Sequence, residues 1–133
     1  MDKKALILVV DDNPDCRELL TSTLEVHGFL TISANCGRKA VELAIWYQPR
    51  LVLMDLNMPD MNGFEATRAI HAHRRGCKIP VVAVSANCMD YGFERLAFDG
   101  GFIDFLPKPW AEGALLKTLA KVFTVRVKSR RAA

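Results

Sequence analysis

The residues best suited to chemistry stand immediately after short apolar runs. Asp11 and Asp12 follow the run from Leu6 to Val10, and Asp55 follows Leu51 to Met54. Ser85 follows Val81 to Val84, and Lys108 stands just beyond Phe102 to Leu106. Three carboxylates gathered at one corner would repel one another, at roughly 3 kcal/mol per pair for ~5 Å separation and an effective dielectric near 20. A bound divalent cation, a nearby ammonium or protonation of one acid would offset that repulsion, and this sequence offers the first two together. An oxygen-rich cluster with room for water suits Mg²⁺ or Mn²⁺, which keep part of their hydration shell and bridge phosphoryl oxygens. Taken singly, each aspartate is an ordinary turn former or helix cap. Their gathering with a hydroxyl and a lysine points to chemistry.

That gathering depends on the elements that carry it. The apolar runs Leu6 to Val10, Phe29 to Ile32, Leu51 to Met54, Val81 to Val84 and Phe102 to Leu106 each read as a strand. Between them, Cys16, Leu19, Leu20 and Leu24, then Ala40, Leu43, Ala44 and Tyr47, fall at helical spacing, as do Leu115, Leu116, Leu119 and Phe123 at the end. Strands joined through helices are parallel and covered on both faces, so the pattern predicts an α/β chain of five βα units. In such sheets the ligand site lies beyond the carboxyl ends of the strands, where these polar residues stand. The punctuation agrees. Asn13 and Pro14 supply an N-cap and a first-turn proline, Gly28 a helix stop, and Pro49 a break before the third strand. Asn62 and Gly63 mark the turn into a third helix, and Asp99, Gly100 and Gly101 end a fourth.

At 133 residues, half hydrophobic and a quarter charged, the chain has the makings of one domain with a real core. No run approaches the ~20 apolar residues of a membrane span, and the opening Met-Asp-Lys-Lys is no cleavable signal, so a cytoplasmic location is expected. Cys16, Cys36, Cys77 and Cys88 are scattered without a C-x-x-C pair and read as reduced, small apolar side chains. His71 and His73, two apart on a helix, do not share a face and make no metal pair. Of the net charge of +3, Arg126, Lys128, Arg130 and Arg131 supply four, beyond the last acidic residue. Without them, 14 basic residues face 15 acidic ones. Residues 126–133 are therefore read as a basic C-terminal tail on a domain of residues 1–125, with no inference of nucleic-acid binding.

The ordered set of motifs resembles the response-regulator receiver domains of two-component phosphorelays. The resemblance covers residues 5 to about 125. It rests on Asp11-Asp12, on Asp55-Leu56-Asn57-Met58-Pro59 with Gly63 following, on Ser85-Ala86 and on Lys108-Pro109. It implies a doubly wound (βα)5 fold with flavodoxin-like strand order 2-1-3-4-5. It makes Asp55 the acceptor of a phosphoryl group from a phosphohistidine, as a carboxylate nucleophile. Asp12 and Asp55 would ligate Mg²⁺ directly, Asn57 would add its backbone carbonyl and Asp11 would act through a bound water, with Lys108 charged on the other side. Ser85 would bond to a phosphoryl oxygen once Asp55 is modified, and Phe105 would be the coupled switch aromatic. Family members often have tyrosine at that position. The resemblance also implies a cis Lys108–Pro109 bond, and places Asn57 and Asn87 where they tune access of water to the acyl phosphate.

The implied partners are a sensor histidine kinase or a histidine phosphotransfer protein, and a downstream protein. The downstream contact is expected on the face of the fourth helix, fifth strand and fifth helix, near Asp90, Tyr91, Glu94, Arg95, Lys117 and Lys121. Such a chain assists its own phosphorylation and dephosphorylation but is not a turnover enzyme, and the Met1 start favours a stand-alone receiver. Two readings compete. A flavodoxin-like cofactor binder needs a glycine-rich phosphate loop, where this chain has Asp11-Asp12-Asn13-Pro14. A small Mg²⁺-dependent aspartyl-phosphate phosphohydrolase needs a substrate cap, for which five βα units leave no room.

Overall fold

The computed structural model describes residues 5–86 and 100–132, the side chains of 124–132 excepted. The elements in chain order are β1 (Leu6–Val10), α1 (Pro14–Val26), β2 (Leu30–Ala34), α2 (Gly37–Tyr47), β3 (Leu51–Asp55), α3 (Gly63–Ala72), β4 (Val81–Ser85), β5 (Asp104–Pro107) and α4 (Glu112–Ala132). The strands form one sheet in the order β2-β1-β3-β4-β5, every pair parallel. The expected fourth helix falls on residues 87–99, outside the described residues, so α4 is the helix expected as the fifth.

Parallel strands covered on both sides bury both sets of alternating side chains. β3 and β4 accordingly are buried at every position, whereas edge strand β2 is buried only at Ala34. One layer joins Leu8, Val10, Val52, Met54 and Ala83 to Ala40 and Ala44 of α2 and Ala66 and Ile70 of α3. The other joins Ile7, Val9, Leu53 and Val84 to Leu20 and Leu24 of α1 and Leu115, Leu119 and Val122 of α4. Burying one leucine contributes about 2 kcal/mol, so the two layers clamp the sheet between the four described helices.

Helix starts follow the sequence signals. The Asn13 side chain accepts hydrogen bonds from the Asp15 and Cys16 amides (2.9 and 3.0 Å), with Pro14 in the first turn. Asn62 and Glu65 make a reciprocal capping box at α3 (2.9 and 3.0 Å). Gly28, at φ +92°, takes the left-handed conformation just past the α1 C-cap that side chains disfavour.

Other expectations need correction. Leu19 and Tyr47, read as core-facing by their spacing, are exposed, because the core takes up only the narrower stripes Leu20–Leu24 and Ala40–Ala44. The last strand begins at Asp104 rather than Phe102. Phe102 still enters the core, from the preceding loop, edge-on to Phe64 with ring centroids 5.5 Å apart. β2 runs from Leu30 to Ala34 rather than from Phe29 to Ile32. Phe29 instead stacks on Phe123 of α4 at 5.7 Å. The α4 backbone continues to Ala132, so Arg126, Lys128, Arg130 and Arg131 lie on a helix. Among the described cysteines, Cys16, Cys36 and Cys77 are free.

Candidate functional site

β1 and β3 are neighbours in the sheet with Val10 opposite Met54, so the residues that follow, Asp11 and Asp55, emerge side by side at the carboxyl edge. Asp12 is the next residue along. One carboxylate oxygen from each of Asp11, Asp12 and Asp55 lies within 4.8 Å of the others. Asp11 and Asp55 are buried, at 3% and 4% exposure, and Asp12 is exposed. Buried oxygen donors on one side and a solvent-facing carboxylate on the other form a donor set for a small, hard divalent cation that retains water.

Lys108 closes the corner from the end of β5. Its Nζ donates to Asp11 Oδ2 at 2.7 Å and stands 3.5 Å from Asp55 Oδ1. The backbone sets this reach, because the Lys108 amide donates to the Ser85 carbonyl at 3.0 Å, and the Lys108–Pro109 peptide is cis. Ser85 ends β4 one residue past the Asp55–Val84 register pair, at 1% exposure, so its hydroxyl belongs to the same edge.

Asp55 registers its removal from water more than the charges around it. Burial pushes its carboxyl up from the ordinary 3.8 to about 6; Lys108 opposes the rise, Asp11 adds to it, the Asn57 amide opposes it and Asp12 adds to it. For Lys108, burial disfavours the charge, but the Asp11 hydrogen bond and the Asp55 and Asp11 charges prevail and hold its pKa above the usual lysine value.

Backbone contacts fix both buried acids. The Asn13 amide donates to Asp11 Oδ1 at 2.9 Å, and the Asn57 amide to Asp55 Oδ1 at 3.3 Å. Sequence reasoning missed Arg17, whose Nη1 donates to the Asp11 carbonyl at 2.8 Å and ties the first turn of α1 to the site. Its spacing six residues after Asp11 carries no signal of its own. Gly63 was read as a turn residue, but its closer constraint is steric. A Cβ there would collide with the Asp55 carbonyl oxygen and come within 2.8 Å of Leu56 Cα, so only glycine lets α3 start against the end of β3.

Asp11, Asp12, Asp55, Ser85 and Lys108 thus stand at one edge, as their positions after strands implied. Phe105 is half-buried on β5 and packs on the α2–α3 core layer. Asn57 is exposed in the β3–α3 loop. Asn87 lies outside the described residues.

Comparison with known proteins fixes the family. The model of the response regulator receiver domain matches residues 7–120. Protein PilH of Pseudomonas aeruginosa is 38% identical over 122 residues, covering 89% of this chain and 97% of that protein. The sensor histidine kinase RcsC of Salmonella typhi is 38% identical over 127 residues, which is 96% of this chain but 13% of that kinase. Among solved structures, the chemotaxis protein CheY4 of Vibrio cholerae superposes with a TM-score of 0.84 at 28% identity, covering 90% of this chain and 98% of that one. The receiver domain of a sensor histidine kinase from Pseudomonas aeruginosa, solved with a magnesium ion coordinated in its active-site cleft, gives 0.81 at 30% identity, covering 89% of this chain and 96% of that one. With acids, hydroxyl and lysine collected at the edge where such a sheet does its chemistry, and the family model spanning nearly the whole fold, this chain belongs to the response regulator receiver domains, the phosphoacceptor switches of two-component signalling.

Proposed function

We propose that Asp55 is the phosphoacceptor, on the strength of one observation: it ends the central strand β3, so that this buried carboxylate stands between Asp11 beyond β1 on one side and Ser85 at the end of β4 on the other, with Lys108 3.5 Å away. The phosphoryl group comes from a histidine kinase or a histidine phosphotransfer protein. An Asp55 carboxylate oxygen attacks phosphorus in line, the new O–P bond forms as the P–N bond of the phosphohistidine breaks, and the imidazole departs with the electron pair. Asp12 and Asp55 would hold Mg²⁺ directly, with the Asn57 backbone carbonyl, and Asp11 through water; Mn²⁺ suits the same donors. Mg²⁺ bound there supplies neutralisation of charge on the phosphoryl oxygens.

Lys108 contributes its share through its own charge. It already pairs with Asp11, so as Asp55 loses its free carboxylate the ammonium can serve a phosphoryl oxygen without leaving the site. Ser85, next to Asp55 across the sheet, gains a phosphoryl acceptor that exists only after modification. Such a differential contact shifts a conformational equilibrium. We read Phe105 as the aromatic that responds, and Asn57 and Asn87 as the residues that tune hydrolysis. The downstream partner docks on the face of the fourth helix, β5 and α4, where Lys121 pairs with Asp104 at 3.3 Å and Lys117 is exposed; Asp90, Tyr91, Glu94 and Arg95 of that face lie outside the described residues. Residues 1–125 form the receiver and 126–133 its basic tail. Among the described residues no helix is long and apolar enough to cross a membrane, and we place the protein in the cytoplasm.

Incubation with acetyl phosphate and Mg²⁺ tests the assignment by intact mass. One phosphoryl group is expected on the wild type and none on Asp55→Asn. Undiminished labelling of the variant would move the acceptor elsewhere.

A further inference from the structure

The end of the sheet opposite the phosphoacceptor carries a second surface. The Arg50 amide donates to the Leu6 carbonyl at 2.8 Å, so the short connection from α2 to β3 meets the first residue of β1. Five residues of strand, roughly 16 Å, separate that level from Asp11. There the last two turns of α2 line an open, predominantly apolar depression of about 590 Å³ that includes Val41, Ile45, Trp46 and Tyr47. Trp46 is 75% exposed and Tyr47 52%. Large aromatics left in water beside a recess are the features that distinguish a binding surface from an ordinary charged exterior.

The basic turn after α3 lies against the same end of α2. Arg75 donates from Nε to the Ile45 carbonyl at 3.0 Å and from Nη2 to the Trp46 carbonyl at 3.5 Å, while Gln48 Nε2 donates back to the Arg75 carbonyl at 3.1 Å. Gly76 packs so closely on α2 that a Cβ there would stand 3.0 Å from Ile45 Cδ1. These contacts fix the turn against the end of α2, and Arg74, Arg75 and Lys78 of that turn are all exposed. Glu42 also lines the depression and repels carboxylates from its middle.

We propose that this surface docks an acidic segment of a partner protein, which seats an aromatic or leucine side chain in the Val41–Tyr47 depression and aims its carboxylates past Trp46 at Arg74, Arg75 and Lys78. Charge complementarity chooses the occupant: the recess is apolar, the turn anchored next to it carries Arg74, Arg75 and Lys78, and Glu42 in the recess turns the acidic part of the segment towards that turn. The surface is remote from Asp55, so docking there leaves the phosphoacceptor corner open and suits a scaffold or localisation partner that holds the switch in both of its states.

The test is selection of random dodecapeptides displayed on phage against the full chain, followed by titration of synthetic winners into ¹⁵N-labelled protein. Enriched peptides should carry several Asp or Glu with one Trp, Phe or Leu, and should shift the amides of residues 41–47 and 74–78. Trp46→Ala and Arg74→Glu, both at exposed positions, should each weaken binding at least tenfold and leave labelling by acetyl phosphate unchanged. Failure to select any peptide, winners without acidic bias, shifts confined to another surface, or full affinity in both variants would overturn the proposal. So would equal or tighter binding of a twelve-nucleotide oligothymidylate or of phosphatidylglycerol vesicles to the same amides, or a concentration-dependent dimer abolished by Trp46→Ala. Those results would assign the surface to nucleic acid, to lipid or to a second copy.

Discussion

At the carboxyl edge of the sheet, two carboxylates at 3% and 4% exposure are closed in with one ammonium 2.7 and 3.5 Å away. Near the amino edge, exposed Arg75 and Gln48 instead satisfy neutral carbonyls, Arg75 at the end of α2 and Gln48 in the turn after α3. Burying ions costs several kcal/mol apiece, and pairing recovers only part of that. A fold that closes two carboxylates and an ammonium into one corner is spending stability on reactivity. The raised pKa of Asp55 is the local measure of that cost.

Removing Lys108 should break the contrast most sharply. Lys108→Ala leaves two buried carboxylates without their ammonium, and we expect a loss of about 2–4 kcal/mol at pH 7 by urea unfolding, shrinking as the pH falls through about 6 and Asp55 takes up a proton. If stability stays level across that pH range, the ion pairs carry no weight in the fold.

Next in size is a gain. Asp55 is an acid whose folded pKa is raised, so its charged form opposes folding; the penalty is absent below the ordinary 3.8, grows up to about pH 6 and is constant above it. Without Mg²⁺, Asp55→Asn should therefore stabilise the protein by ~1–3 kcal/mol above pH 6 and by nothing near pH 3. A variant less stable than wild type at pH 7 would contradict the electrostatic account. For the same reason, Mg²⁺ affinity of the wild type should fall as the pH drops through about 6.

Asp12→Asn should weaken Mg²⁺ binding about tenfold, roughly 1.4 kcal/mol, measured by calorimetry. Being exposed, Asp12 should affect stability little. An unaltered Mg²⁺ affinity would remove it from the donor set. Smallest of all, Trp46→Ala at the opposite edge should change stability by less than ~0.5 kcal/mol and leave phosphoryl uptake intact. A change in the uptake rate would show that the two edges communicate.

The sheet and the polar residues at its carboxyl edge were legible in the sequence because fully buried parallel strands read as continuous apolar runs, and the residue after each run is placed by topology alone. β3 illustrates this, buried throughout and ending in Asp55. The faces of the helices were less legible. Leu19 and Tyr47 sit at core-like spacing but outside the narrow stripes that small alanines and two leucines present to the sheet. The start of β5 was misplaced because Phe102 is apolar for a different reason: it fills the core from a loop. Within the site, Arg17 was invisible because a hydrogen bond to a backbone carbonyl leaves no pattern of residue types.

The absence of a side chain at Gly63 has a mechanical consequence. The first turn of α3 rests directly on the peptide group of Asp55, and its capping box stiffens that turn. Backbone pressed on backbone has no rotamer to yield, so on that flank the strand end and the helix form a fixed knuckle. With Asp55 as the proposed acceptor, a phosphoryl group added there would find its compliance on the other flank, across β4 towards the four-residue edge strand β5.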